Sequence, residues 1–220
     1  MSIPVLHSIH NNSFWLLPQK AMFWEQQKAL IVADLHLGKT GHFRKSGIAV
    51  PQAVYKDDLH RLFTLMQQHK AEQLIIVGDM FHSVANKELD LFLRWRNDFY
   101  QLAIHLVKGN HDILHNDYYK SANIHLSEDK LSIDKFSFVH DPVFCDESEN
   151  SPEHYYFCGH VHPGVLIRGT SRQALRFPCY YFTTTHAVLP AFSAFTGLYM
   201  VHKKEYEQVY AIVNENIIEL

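Results

Sequence analysis

The 220-residue chain carries only three cysteines, at positions 145, 158 and 179, and they form neither a close pair nor a zinc-ribbon spacing. A disulfide framework is therefore not expected, and a reducing compartment is. Long hydrophobic runs are also missing. No stretch reaches eighteen apolar residues, and the first twenty residues lack a basic start followed by an apolar core and a cleavage signal. A soluble cytoplasmic protein with no membrane partner is the expectation. Charge of one sign is scarce too: 20 Lys and Arg stand against 23 Asp and Glu, a formal net charge of -3. That argues against a protein that coats nucleic acid non-specifically, while leaving room for a local basic groove. No internal repeat, low-complexity tract or linker is visible, so a single domain over residues 1–220 is expected.

Apolar residues, by contrast, make up 47% of the chain. A chain of this size buries about 70% of its extended surface, enough for one continuous core. Residues 5–27 alternate in short runs and predict a hairpin with its turn near Pro18. The run 29–33 is apolar throughout and stops at Asp34, as a strand covered on both faces would. A 3.6-residue period predicts helices over 51–70 and 86–102, with Leu59, Leu62, Met66, Leu89 and Phe92 inward. Between and after them, the runs 74–77 and 104–107 stop at Gly78-Asp79 and Gly109-Asn110-His111-Asp112. Strands alternating with helices predict a layered α/β protein. The second half is a series of short runs (136–139, 155–158, 165–167, 174–177, 180–183, 197–201 and 208–213) that predict a second sheet packed on the first. Residues 145–153 are acidic and polar and predict an exposed loop. Tyr180, Tyr181 and Phe182 fit a core better than a nucleotide platform.

Histidine is the abundant residue, at 17, and it is suited both to metal ligation and to proton transfer near neutral pH. Its placement separates these uses. Asp34-Leu35-His36, Gly78-Asp79, Gly109-Asn110-His111-Asp112, His140 and Gly159-His160-Val161-His162 each follow a strand-like run. Taken singly they say little: Asp-Leu-His is common capping chemistry and Gly-Asp is ordinary turn chemistry. Together they supply the carboxylates, imidazoles and amide that two nearby divalent ions need, with one carboxylate free to bridge. Residues two apart just past a strand can point the same way, which would aim Asp34 with His36, and His160 with His162, into one pocket. In open α/β sheets that pocket lies beyond the carboxyl ends of the strands.

The ordered set resembles the calcineurin-like metallophosphoesterases, whose pattern is D-x-H, G-D, G-N-H-D/E, H and G-H-x-H. The resemblance implies the metallophosphoesterase fold, an α/β four-layer α-β-β-α sandwich of two mixed sheets, with two divalent metal ions between them. By position, Asp34, His36 and His162 would hold one ion. Asn110, His140 and His160 would hold the other, and Asp79 would bridge. His111 would stand by the scissile phosphate, stabilising charge or protonating the leaving group, with Asp112 holding its ring. The family's glycine after the fifth-segment histidine is here Asp141. Mixed nitrogen and oxygen donors suit manganese, iron or zinc better than magnesium, with manganese the leading choice.

The runs 33–48 and 189–197 further resemble the bacterial DNA-ligase-associated DNA-damage-response phosphoesterases. That resemblance implies a phosphodiesterase or nuclease in DNA repair, acting on DNA ends or single strands, with a DNA ligase and a helicase as partners. His42, Arg44 and Lys45 are candidates for gripping substrate phosphates, and His82 for approaching the metals. The alternatives are a hydrolase of small nucleotide diesters or pyrophosphates, and a partner-binding scaffold without activity. The N-terminal hairpin or last strand could serve a homodimer; the sequence does not decide the oligomeric state.

Overall fold

A computed structural model of the chain describes residues 3–37, 53–82, 87–145, 154–169, 174–194 and 196–220. Strands β1 (Val5–Ile9), β2 (Asn12–Leu17), β3 (Ala21–Trp24) and β4 (Ala29–Ala33) form an antiparallel meander. The expected hairpin is thus part of a longer ribbon. Its other tight turn, at His10-Asn11, has both residues left-handed (φ 47° and 62°). That is the geometry usually marked by Asn-Gly, and without the glycine the turn left little trace in the sequence.

From β4 the sheet continues in parallel through β5 (Gln73–Val77), β6 (Ala103–Val107) and β7 (Ile124–Ser127). The crossovers include helices α1 (Ala53–Gln68), α2 (Lys87–Asp98) and α3 (Asn116–Ser121). Helix α2 stops short of the expected residue 102, where Arg96 donates to the carbonyls of Phe99, Leu102, Ala122 and Asn123. One buried guanidinium thereby ties the chain after α2 to the end of α3. The short α3 was not anticipated.

The second sheet comprises β8 (Lys130–Ile133), β9 (Phe136–Val139), β10 (Tyr155–Cys158), β11 (Pro163–Arg168), β12 (Ala174–Phe182), β13 (His186–Val188), β14 (Tyr199–Met200), β15 (Gln208–Val213) and β16 (Asn216–Glu219). Its main order is β14-β11-β12-β13-β10-β9-β8, with β15 on β12 and β16 on β15. The separate runs expected at 174–177 and 180–183 are one strand. Pro178 lies where β12 changes ladders: residues 174–178 pair with β11, whereas 179–182 pair with β15. A residue without an N–H is tolerated at such a changeover.

The alternation within β4 explains why its run is apolar throughout. Leu30 and Val32 face Leu59, Leu62, Met66 and Phe92 on the helical side. Ile31 and Ala33 face Phe136, Phe138, Phe157 and Phe182 between the sheets. Strands β5 and β6 divide the same way. The expected α/β sandwich of two mixed sheets is what forms. On the outer face of the second sheet, the described residues place a 3-10 turn, Pro142–Phe144, rather than an α-helix. Tyr180 is core, as expected, and its hydroxyl donates to the carbonyls of Leu17 and Ala21 at 2.7 and 2.6 Å. No helix among the described residues is long and apolar enough to cross a membrane.

His7 lies in this inter-sheet layer, its ring 4.0 Å from that of Phe182 and its Nδ1 3.3 Å from the Tyr210 hydroxyl. Burial lowers its pKa from 6.5 to about 4. The unfolded chain therefore binds the proton first, and stability is lost as pH falls from 6.5 towards 4. Allowing for the edge of the ring that solvent reaches, about 1 kcal/mol is at stake. Thermal scans from pH 7 to 5 should show His7→Phe losing roughly 2–4 °C less than the wild type.

Candidate metal centre

The candidate ligands leave the carboxyl ends of β4, β5, β6, β9 and β10, where the two sheets open onto one cleft. Asp34, His36, Asp79, His160 and His162 all have left-handed backbones, with φ between 47° and 66°. Asp and His enter this region more readily than branched residues, at a cost of about 1–2 kcal/mol each. The expectation that Asp34 and His36 point together holds, but for a different reason. They are two left-handed residues past the strand end, not alternate residues of an extended strand.

Interlocked loops hold that conformation. Asp34 N–H donates to Gly78 O, His36 N–H to Asp79 O, Leu37 N–H to Met80 O, and His82 N–H back to Leu37 O, at 3.2, 2.8, 2.8 and 2.9 Å. From below, Asp112, 1% exposed, accepts from the N–H groups of Met80, Phe81 and Gly109 at 3.2, 2.8 and 2.9 Å. Burial raises its pKa to about 6, with the Phe81, Gly109 and Met80 N–H groups pulling the other way. The sequence-based role of Asp112 is corrected here. Its carboxylate ties the β5 and β6 loops together and makes no hydrogen bond to the His111 ring, because the turn aims it inward.

Two overlapping groups have ligand atoms within 4.8 Å of one another: Asp34, His36 and His162, and Asp34, Asp79 and His140. The first is the expected trio, while Asp34 belongs to both. Asp79 Oδ2 lies 4.0 Å from His36 Nε2 and 3.5 Å from His140 Nε2, facing a member of each group. His140 Nε2 is also 3.1 Å from Asn110 Oδ1 and 3.2 Å from His160 Nδ1. Its Nδ1 faces Val77 O at 3.2 Å. With the proton on Nδ1, Nε2 presents a lone pair to the cleft.

The donor set fits divalent cations. Burial opposes a charge on His140, but the hydrogen bond to Asp79 and the charges of Asp34 and Asp79 outweigh it and raise its pKa to about 9. Burial likewise opposes the charge on Asp79, and His140, the His111 N–H and His36 outweigh it, holding the carboxyl below the usual range. The pocket thus draws positive charge towards its centre.

The sequence pattern contained the motif glycines without their physical reason, which is space. Gly78 has φ 77°, and a Cβ there would lie 1.9 Å from His140 Nδ1; one on Gly109 would lie 2.2 Å from Asp79 Oδ1. Sequence reasoning also missed the support behind Asp34. The stretch 191–194 runs along it, with Phe192 N–H on Ala33 O and Ser193 N–H on Asp34 O at 2.8 and 3.2 Å. Arg61 lies over the Phe192 ring at 4.1 Å and pairs with Asp58, which accepts from Ala194 N–H. This gives the 189–197 run a structural account that the sequence alone did not supply.

His111 is half-buried, and its ring lies 5.5 Å from that of His36 and 4.5 Å from that of His82. Its N–H donates to Asp79 Oδ1 at 2.8 Å. His82 stands beside the first group, its ring 5.2 Å from that of His36. His42, Arg44 and Lys45 lie outside the described residues.

Among solved structures, the nuclease MPE of Pseudomonas putida is similar over 99% of this chain and 100% of its own, at 29% identity and a TM-score of 0.82. The chain has the metallophosphoesterase fold. The YfcE phosphoesterase of E. coli is a looser likeness, with 13% identity and a TM-score of 0.45 over 87% of this chain and 97% of its own. No protein-family model and no curated protein matches by sequence.

Two substitutions test how this metallophosphoesterase-fold centre is built. Gly78→Ala should displace the His140 ring and weaken manganese retention at least about tenfold in equilibrium dialysis. Asp112→Ala should leave three buried N–H groups without their acceptor, costing about 3 kcal/mol and roughly 10 °C in thermal midpoint. Loss of activity at unchanged stability would instead restore the ring-holding role to Asp112.

Proposed function

We propose that the chain is a dinuclear metal-dependent phosphodiesterase that cleaves DNA, in the cytoplasm and in the service of repair. The observation that carries this is the pair of overlapping ligand groups sharing Asp34, with Asp79 of the second facing His36 of the first and His111 at their edge. A nuclease similar over nearly the whole chain supports it. The repair setting, and a DNA ligase and a helicase as partners, rest on the sequence resemblance given above.

Asp34, His36, Asp79 and His162 would hold one ion, and Asp79, Asn110, His140 and His160 the other. Manganese suits this nitrogen and oxygen set, with iron or zinc next. Bound ions would activate water and neutralise charge on the phosphoryl oxygens. The His111 backbone N–H holds Asp79, the carboxylate that would bridge the ions, in place. The His111 imidazole can hydrogen-bond the leaving oxygen and stabilise the charge that develops there. The Val77 carbonyl orients the His140 ring, and the loops around Asp112 keep both halves at one spacing.

A second reading, hydrolysis of small nucleotide diesters, draws on one observation. Beside His140 and His160 lies a cleft of about 650 Å³, the size of a small-molecule site. Comparing an oligodeoxynucleotide with a cyclic nucleotide separates the two readings.

Manganese-loaded protein should hydrolyse bis(p-nitrophenyl) phosphate, and a chelator should abolish turnover. Asp79→Asn should lose both metal and activity. His111→Ala should keep its metal while kcat falls about 10²- to 10⁴-fold. Turnover that ignores the chelator, or survives both substitutions, would overturn the proposal.

A further inference from the structure

The cleft beside the second half of the centre has one wall that the chemistry above does not use. Past His140 the chain makes the 3-10 turn Pro142–Phe144, and Phe144 lines the cleft together with Asn110, His140 and His160. Its side chain is 69% exposed, and the neighbouring Val143 is 83% exposed. A single exposed apolar residue needs no explanation. This one is held in place. Asp141 Oδ1 accepts from Val143 N–H at 2.9 Å, Phe144 N–H donates to Asp141 O at 3.0 Å, and Cys145 N–H donates to Pro142 O at 3.0 Å. Proline fixes φ at the start of the turn. The phenyl ring thus projects from a short turn held by three hydrogen bonds.

That support is anchored to the centre itself. Asp141 follows the ligand candidate His140 directly, and its other oxygen lies 3.9 Å from His160 Nε2. Phe144 follows His140 by four residues and lines the same cleft, a placement that suits the nucleoside flanking the scissile phosphate.

The charges around the cleft narrow what it can receive. Lys108 and Lys130 line it, but so do Glu128, Asp129 and Asp141, and Lys108 is paired to Glu128 at 2.9 Å. With three carboxylates beside the two ammonium groups, this wall is not a continuous basic track for further phosphates. What it does offer is an aromatic face, which binds any nucleobase without requiring charge.

We infer that Phe144 is a stacking platform for the nucleobase next to the scissile phosphate, making the substrate a nucleoside-bearing diester. This rests on the phosphodiesterase reading above and deepens it. The Asp141-capped turn is the positioning element, and recognition at this wall is by ring contact, indifferent to which base is present.

The kinetic test compares thymidine 5′-(p-nitrophenyl phosphate) with methyl p-nitrophenyl phosphate on the manganese-loaded full chain. In Phe144→Ala, the ratio of their kcat/KM values should fall about tenfold, carried by KM, and Phe144→Trp should restore it. The salt dependence of the ratio should stay as in the wild type, since no phosphate contact is removed. The binding test uses Phe144→Trp and a methylphosphonate hexathymidylate, whose uncharged linkages resist cleavage, beside the same backbone with abasic sugars. Emission should be quenched by the base-bearing strand beyond the wild-type change, and not by the abasic one. An unchanged ester preference in Phe144→Ala, or no base-dependent quenching, would overturn the inference. If the wild type hydrolyses neither ester, the phosphodiesterase reading falls, and the quenching result still decides whether Phe144 stacks on a base.

Discussion

The structure depends on crowding. Acidic and imidazole groups from five strand ends converge where two sheets open, and five of them, after β4, β5 and β10, are held in a backbone conformation that costs free energy. Asp34 and Asp79 lie close enough to His140 to raise its pKa. Loops left to relax would move these groups apart. The inter-loop bonds from Asp34, His36 and Leu37 prevent this, as do the N–H groups gathered by Asp112. A strained, charge-dense site set into a rigid apolar frame is how protein scaffolds prepare for cations and for the charge that develops in phosphoryl transfer.

The frame serves the site through its division of side chains. In β4, alternate residues face the helices and the second sheet, so the strand cannot slip by one residue without exchanging its two apolar faces. Its end, where Asp34 begins, is thereby set. The second sheet brings β9 and β10 in parallel to the same cleft, and the His160 N–H to Asp34 carboxylate contacts bridge from sheet to sheet. The stretch 191–194, supported by Arg61 and Asp58, closes the back of that junction.

Much of this was legible because the relevant signals are local. Apolar runs ending in Asp or Gly marked β4, β5 and β6 almost to the residue, and the D-x-H spacing picked out two side chains that do meet. What stayed hidden depends on distant contacts. The early stop of α2 follows from Arg96 reaching the carbonyls of Ala122 and Asn123. The continuity of β12 through Pro178 follows from which strand lies on each side. The role of Asp112 was misjudged because neighbours in sequence need not face one another.

The sequence by itself determined which chemistry was possible: the kinds of donor, their order along the chain and the strand ends they occupy. It did so because ligand type and strand periodicity are properties of short segments. Only the tertiary structure decided that Asp34 is shared between two groups, that Gly78 and Gly109 are glycine for want of space, and that Asp112 braces the loops. These are distances between residues far apart in the chain, and the packing of two sheets sets them.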